Sequence, residues 1–173
     1  MKTLFCVLAA ALSIAPIVCS AAPADSGNPR AAIQAAYDQQ NTAAETKNVD
    51  LFMKSYSPDF KAIDHDGAPI SRQQAKKNMV TLFAAATHLS GQTTITAFTI
   101  KAGKAYVTTQ EHDEVVAPDP STQTPVTMVD DEVDSDTWTK VNGVWLEQFS
   151  RVVSEHTSVH QGTPLDSKPG QSA

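Results

Sequence analysis

From Asp134 to Ser154 the sequence alternates polar and aromatic or aliphatic residues on both sides of Asn142-Gly143. That pattern predicts a β-hairpin, because Asn-Gly supplies the two positive-φ residues of a type I′ turn, whose twist matches the strands it joins. With Asn142 and Gly143 as the loop, the register follows. Val141 faces Val144, Lys140 faces Trp145, Trp138 faces Glu147, Asp136 faces Phe149 and Asp134 faces Arg151. From Lys140 down to Asp134 the even-numbered residues and their partners share one face, since successive strand side chains point to opposite sides. The other face carries Val133, Ser135, Thr137, Thr139, Leu146, Gln148, Ser150 and Val152. One side is therefore a core seam and the other a lined cavity or a wet surface.

The chain opens with Lys2, an apolar run from Leu4 to Val18 and the small residues Ser20, Ala21 and Ala22, which together read as a secretory leader. Residues 1–21 are taken as the leader, with a secreted or periplasmic product, and the run is too short to anchor the mature chain in a membrane. Val18 before Cys19 argues against lipidation. Cys6 and Cys19 both fall inside the leader, so the mature chain is expected to have neither thiol nor disulfide. The remainder has the size of one domain. Thirteen Lys and Arg against nineteen Asp and Glu give a formal charge of −6, and no basic stripe relieves it. A nucleic-acid partner is excluded on that balance.

Residues 22–28 form a small, polar lead, and order begins with Asn28-Pro29, a cap followed by proline at the first helical position. That helix runs to Lys47, with Ile33, Ala36, Tyr37, Gln40 and Ala44 on one weakly apolar stripe. Asn48 caps a second helix ended by Pro58, and Asp59–Asp64 is a strand with Phe60, Ala62 and Asp64 on one face. Ser71 with Gln74 is a capping box for a third helix, which Gly91 closes. Thr93–Lys101, Lys104–Val116, Val126–Lys140 and Val144–Glu155 then make four antiparallel strands. Residues 29–155 are the domain and 156–173 a disordered tail. Helices gathered on one face of a sheet make an α+β domain.

Asn48-Val49-Asp50-Leu51, Tyr56-Ser57-Pro58-Asp59-Phe60, Asp64-His65-Asp66-Gly67, Ser71-Arg72, Asp136-Thr137-Trp138-Thr139-Lys140 and Asn142-Gly143-Val144-Trp145 occur in that order. Together they resemble the NTF2-like superfamily, in particular its small secreted SnoaL-like and DUF4440-type members. The resemblance covers residues 29–155. It implies three N-terminal helices packed on a curved antiparallel or mixed sheet, an apolar pocket in the cone and a homodimer through the sheet. It further implies a general acid or base at Asp64, in an isomerase, dehydratase or hydrolase. The competing reading is that Asp64 opens the turn to Gly67. The tyrosine of the isomerases in this superfamily would fall near Thr42, with Tyr37 out of register.

The hairpin face nominates Asp136, Trp138, Trp145, Glu147, Phe149 and Arg151, with Phe60, as a pocket for a small, partly apolar ligand, and pairs Asp134 with Arg151. The alternatives are a solvated face or a protein-interaction surface. No cofactor or metal is implied. Glu111 and His112 point to opposite faces of their strand and cannot chelate one ion together without a bulge, and the acidic run Asp130 to Asp136, which could attract Ca²⁺ but lacks the loop of an EF-hand, reads as a charged edge that discourages strand pairing.

Overall fold

The computed structural model describes residues 27–119 and 121–161. The expected leader, most of the expected lead at 22–28 and residues 162–173 of the expected tail lie outside the described residues. Three helices, α1 (Pro29–Glu45), α2 (Val49–Phe52) and α3 (Arg72–Ala85), pack on one face of a six-stranded sheet. Its strands are β1 (Tyr56–Ile63), β2 (Pro69–Ser71), β3 (His88–Lys101), β4 (Lys104–Pro118), β5 (Pro125–Val141) and β6 (Val144–Gln161). Their spatial order is β2-β1-β6-β5-β4-β3, with β1 parallel to β6 and every other pairing antiparallel. The sheet is mixed and the domain is α+β.

Local chemistry accounts for the helix ends. Asn28 Oδ1 accepts from the N–H groups of Arg30 and Ala31, and Ser71 Oγ accepts from Gln74 N–H. The Gln74 amide in turn donates to Asn78 Oδ1 one turn on. Asn48 Oδ1 accepts from Leu51 N–H at 3.0 Å, capping the short helix that carries Phe52. Asn48→Ala should cost about 1 kcal/mol in urea unfolding, the usual worth of such a cap.

Strand β3 is an edge, and α1 covers it. The Gln34 side chain donates to Thr93 O at 2.7 Å and accepts from Ile95 N–H at 3.2 Å, while Arg30 donates to Ile95 O at 2.8 Å. This fixes the stripe of α1 that faces inward. Ile33 and Tyr37 join Ile95, Ala105, Val107, Trp138 and Trp145 in one core, and Phe83, Ala86 and Leu89 form a second beneath α3.

Several boundaries differ from the sequence reading. Helix α2 stops at Phe52, and Pro58 lies within β1. Helix α3 stops at Ala85, so Gly91 sits inside β3, opposite Asp113. A Cβ at Gly91 would collide with the Asp113 carboxylate, so glycine makes room for that side chain. Strand β6 continues to Gln161, past Glu155. Strand β5 is interior, between β4 and β6, so its acidic run is not an edge device.

The hairpin register holds near its turn and then slips. Asn142 and Gly143 have φ of 52° and 86°, and Val141, Lys140 and Trp138 face Val144, Trp145 and Glu147. Thr137, however, faces Phe149, which leaves Gln148 as an extra residue in β6. Gln148 is held outside the sheet, donating to Asp59 and accepting from Lys104 Nζ. Val153 is a second bulge, between Val152 opposite Asp134 and Ser154 opposite Val133. Each slip exchanges the two faces of β6.

Candidate functional site

A cavity of about 380 Å³ opens between the helices and the concave face of the sheet. One wall is apolar. Tyr56 stacks flat on Phe60 at 4.0 Å, and Phe52 meets both Tyr56 and Phe83 edge to face at 5.8 and 6.0 Å. Met79 and Leu82 of α3 complete that wall.

The opposite wall is built from carboxylates. Glu111 and Asp113 come from β4, Glu132, Asp134 and Asp136 from β5, and Glu147 from β6. Among the described residues no Lys, Arg or His lines the cavity. Period-two alternation explains the placement: residues 111 and 113 share a face of β4, and 132, 134 and 136 share a face of β5. The ladder then sets like charges directly opposite one another, Glu111 against Glu132 and Asp113 against Asp130, with Glu155 opposite Glu132 on the other side. Such pairs destabilise a sheet unless something neutralises them.

Protons are one neutraliser. Burial, and then the charge of Asp136, lift Asp134 to about 8. Burial and Asp130 lift Glu132 to about 7 and Asp113 to about 6. Glu111 is raised by burial and Asp134, and Glu147 by burial and Asp136. Asp136 is raised by burial to about 6, against the pull of its hydrogen bond from Tyr37. At that deep end Trp138 Nε1–H donates to Tyr37 Oη at 2.9 Å, and the Tyr37 hydroxyl donates to Asp136 Oδ2 at 2.5 Å. Burial holds the phenol protonated well above its ordinary range, so it acts as a fixed donor.

Comparison with protein-family models finds no match, and comparison with curated proteins finds none either. Solved structures do match. A putative scytalone dehydratase from Novosphingobium aromaticivorans aligns over 83% of this chain and 93% of its own, with a TM-score of 0.61 at 13% identity. A type 2 hexachlorocyclohexane dehydrochlorinase, LinA, aligns over 80% and 95%, with a TM-score of 0.60 at 11% identity. An NTF2-like protein of unknown function from Shewanella oneidensis aligns over 72% and 98%, with a TM-score of 0.57 at 12% identity. The chain has the NTF2-like fold. Identities this low carry the architecture and no activity.

Within the NTF2-like cone the nominated residues divide. Phe60, Asp136 and Glu147 line the cavity. Trp138 is fully buried and Trp145 nearly so, but both belong to the core beneath the cavity and not to its wall. Phe149 and Arg151 are on the outer side of the sheet, because the Gln148 bulge reverses the face of β6. Phe149 lines a shallow outer groove with Lys61, Lys104 and Tyr106. The expected Asp134–Arg151 pair does not form, since Val152 faces Asp134. Asp64 reaches the cavity rim, where its Oδ1 accepts from Ala68 N–H at 2.7 Å and its carbonyl from Gly67 N–H at 3.0 Å. Both bonds close a turn.

Tyr37, Glu111, Asp113 and Glu132 belong to the site although the hairpin face does not nominate them. Thr42 bonds its own helix at Asp38 O, whereas Tyr37, expected to be out of register, faces the cavity. The signal for the acids is the spacing of Asp130, Glu132, Asp134 and Asp136, every second residue of one strand.

Proposed function

We propose that this is an exported NTF2-like domain that binds a small molecule with an apolar body and a cationic end. One observation carries the reading: the cavity faces a wall of stacked aromatic rings with a wall of carboxylates, and among the described residues no basic side chain lines it. An ammonium group is favoured by both walls, through carboxylate pairing and through the negative faces of Tyr56 and Phe60. An anionic ligand would find no basic partner in the described lining. The export part of the proposal rests on the apolar run Leu4 to Val18.

The binding reading is supported over a reaction centred on Asp64, whose carboxylate already serves the turn to Ala68. The test is calorimetry with two probes of matched size and opposite charge, phenethylamine and 3-phenylpropanoate, at neutral pH. The amine should bind at least about tenfold more tightly, a difference of about 1.4 kcal/mol. Phe60→Ala should weaken it, and Asp136→Asn should narrow its advantage over the acid. Equal binding, or a preference for the carboxylate, would overturn the proposal. We further propose a homodimer through the outer face of the sheet, where Tyr106, Val141 and Val144 are exposed. Native mass spectrometry of the mature chain tests it, and a bare monomer would refute it.

A further inference from the structure

The acidic wall contains a more specific arrangement than a negative surface. Glu111, Glu132 and Asp134 bring one carboxylate oxygen each to within 4.8 Å of one another. Oxygen ligands bind Ca²⁺ at roughly 2.3–2.6 Å, so three oxygens at this spacing come onto one ion with only small side-chain shifts. The register makes the convergence rigid, because Glu111 and Glu132 are paired across β4 and β5 and Asp134 is the next residue on the same face. The donors come from strands rather than loops, which limits their spread.

Two further observations point to a ligand at this place. Asp134 is only 6% exposed, and its Oδ1 is buried without a hydrogen-bond partner. Thr109 lies directly opposite Asp134 on β4, is fully buried, and its hydroxyl oxygen likewise has no partner. A buried polar atom left unpaired costs about 1–3 kcal/mol. The Thr109 hydroxyl beside the carboxylates of Glu111, Glu132 and Asp134, with no Lys, Arg or His among the described residues lining the cavity, makes an oxygen-only donor set that fits a cation. All the donors are hard oxygens and none is sulfur or imidazole, a set suited to Ca²⁺, Mg²⁺ or Mn²⁺.

We propose that Glu111, Glu132 and Asp134 bind one hard divalent cation on the β4–β5 wall of the cavity. The site goes beyond the amine reading, which places its ligand against Tyr56, Phe60, Asp136 and Glu147. Because the probe is the metal alone, the two readings succeed or fail separately.

The experiment uses the mature chain, stripped with chelator and dialysed, and Mn²⁺ as the probe. Binding removes the sharp solution spectrum of free Mn²⁺ in electron paramagnetic resonance, and one ion per chain is expected below about 1 mM, the range of extracellular oxygen-ligand sites. Loss of one ligand should weaken binding by more than the ~10–100-fold that the loss of a second-shell partner costs. Glu111→Gln and Asp134→Asn should both do so. Each should also melt cooperatively in metal-free buffer and gain nothing from Mn²⁺ or Ca²⁺, whereas the wild type melts higher with either. The cooperative melt shows that the variants fold. Asp131→Asn, on the exposed side of β5, should bind as the wild type does. Absence of bound Mn²⁺ in the folded wild type, or binding undiminished in both variants, would overturn the proposal.

Discussion

Raising the pH from about 5 to about 8 in metal-free buffer should cost the domain several kcal/mol of stability, the reverse of the usual behaviour of an acidic protein. The groups responsible have folded pKa values above their unfolded ones: Asp113 and Asp136 rise to about 6, Glu132 to about 7 and Asp134 to about 8. Burial is the leading cause in each case, and Glu111 and Glu147 move in the same direction. A carboxylic acid with a raised pKa keeps its proton in the folded state while the unfolded chain has released it. Its contribution is therefore fully present below about pH 4 and is lost as the pH climbs through the folded value. A tenfold difference in proton affinity between the folded and unfolded chain corresponds to about 1.4 kcal/mol, and neighbours this close titrate as a set rather than singly.

The groups facing the cluster do not offset this. Asp130 and Glu155 add negative charge, Tyr37 and Tyr56 stay neutral, and His112, which pulls Asp113 down, is paired with Asp131 on the outer side. The opposite sign comes from Asp50, Asp59 and Asp119, whose pKa values are lowered by hydrogen bonds from Lys76, Gln148 and Ser121, and which lose their effect only in acid. Maximum stability should thus fall near pH 4 to 5, at about the point where unfolded carboxylates titrate. Urea unfolding followed by tryptophan fluorescence at a series of pH values measures it. A flat profile between about pH 5 and 8 would mean that water reaches these carboxylates freely.

The architecture was legible because it depends on signals that are local and strong. Asn142-Gly143 specifies its turn chemically, the caps at Asn28, Asn48 and Ser71 mark helix starts, and alternation through β4 and β5 marks strands. The site was half legible for a reason of the same kind. Trp138 facing Glu147 follows from the turn, but each bulge adds one residue that no composition signal announces, and one residue is enough to exchange faces. Gln148 is an ordinary strand residue. It is bulged because Asp59 and Lys104, distant in sequence, hold its amide outside. An attractive but false pairing of Asp134 with Arg151 reinforced the unbulged register. The place of the acidic run is hidden for a different reason. Its spacing showed that the carboxylates share a face, but whether that face is an edge or an interior wall depends on strand order, which is a tertiary property.

Trp138→Ala should be among the most damaging single substitutions in the domain, at about 3–5 kcal/mol, the range for removing a buried aromatic side chain. Trp138 is fully buried, packs edge to face on Tyr37 with ring centroids 5.0 Å apart, and lies in the same core as Ile33, Ile95 and Val107. Against a total stability of about 5–15 kcal/mol, that loss brings the fold close to collapse. Tyr37→Phe separates packing from polarity at the same place. It keeps the ring but removes the oxygen that accepts from Trp138 Nε1 and the hydroxyl that donates to Asp136. Each buried group left without its partner costs about 1–3 kcal/mol, so the variant should lose more than an ordinary surface change would. It should also steepen the pH profile, because the bond from Tyr37 is what pulls Asp136 down against its burial. Denaturant unfolding of both variants at two pH values checks the pair of expectations. A Tyr37→Phe protein as stable as the wild type, with an unchanged pH dependence, would show that water replaces the phenol and that the deep end of the cavity is wet rather than built around this relay.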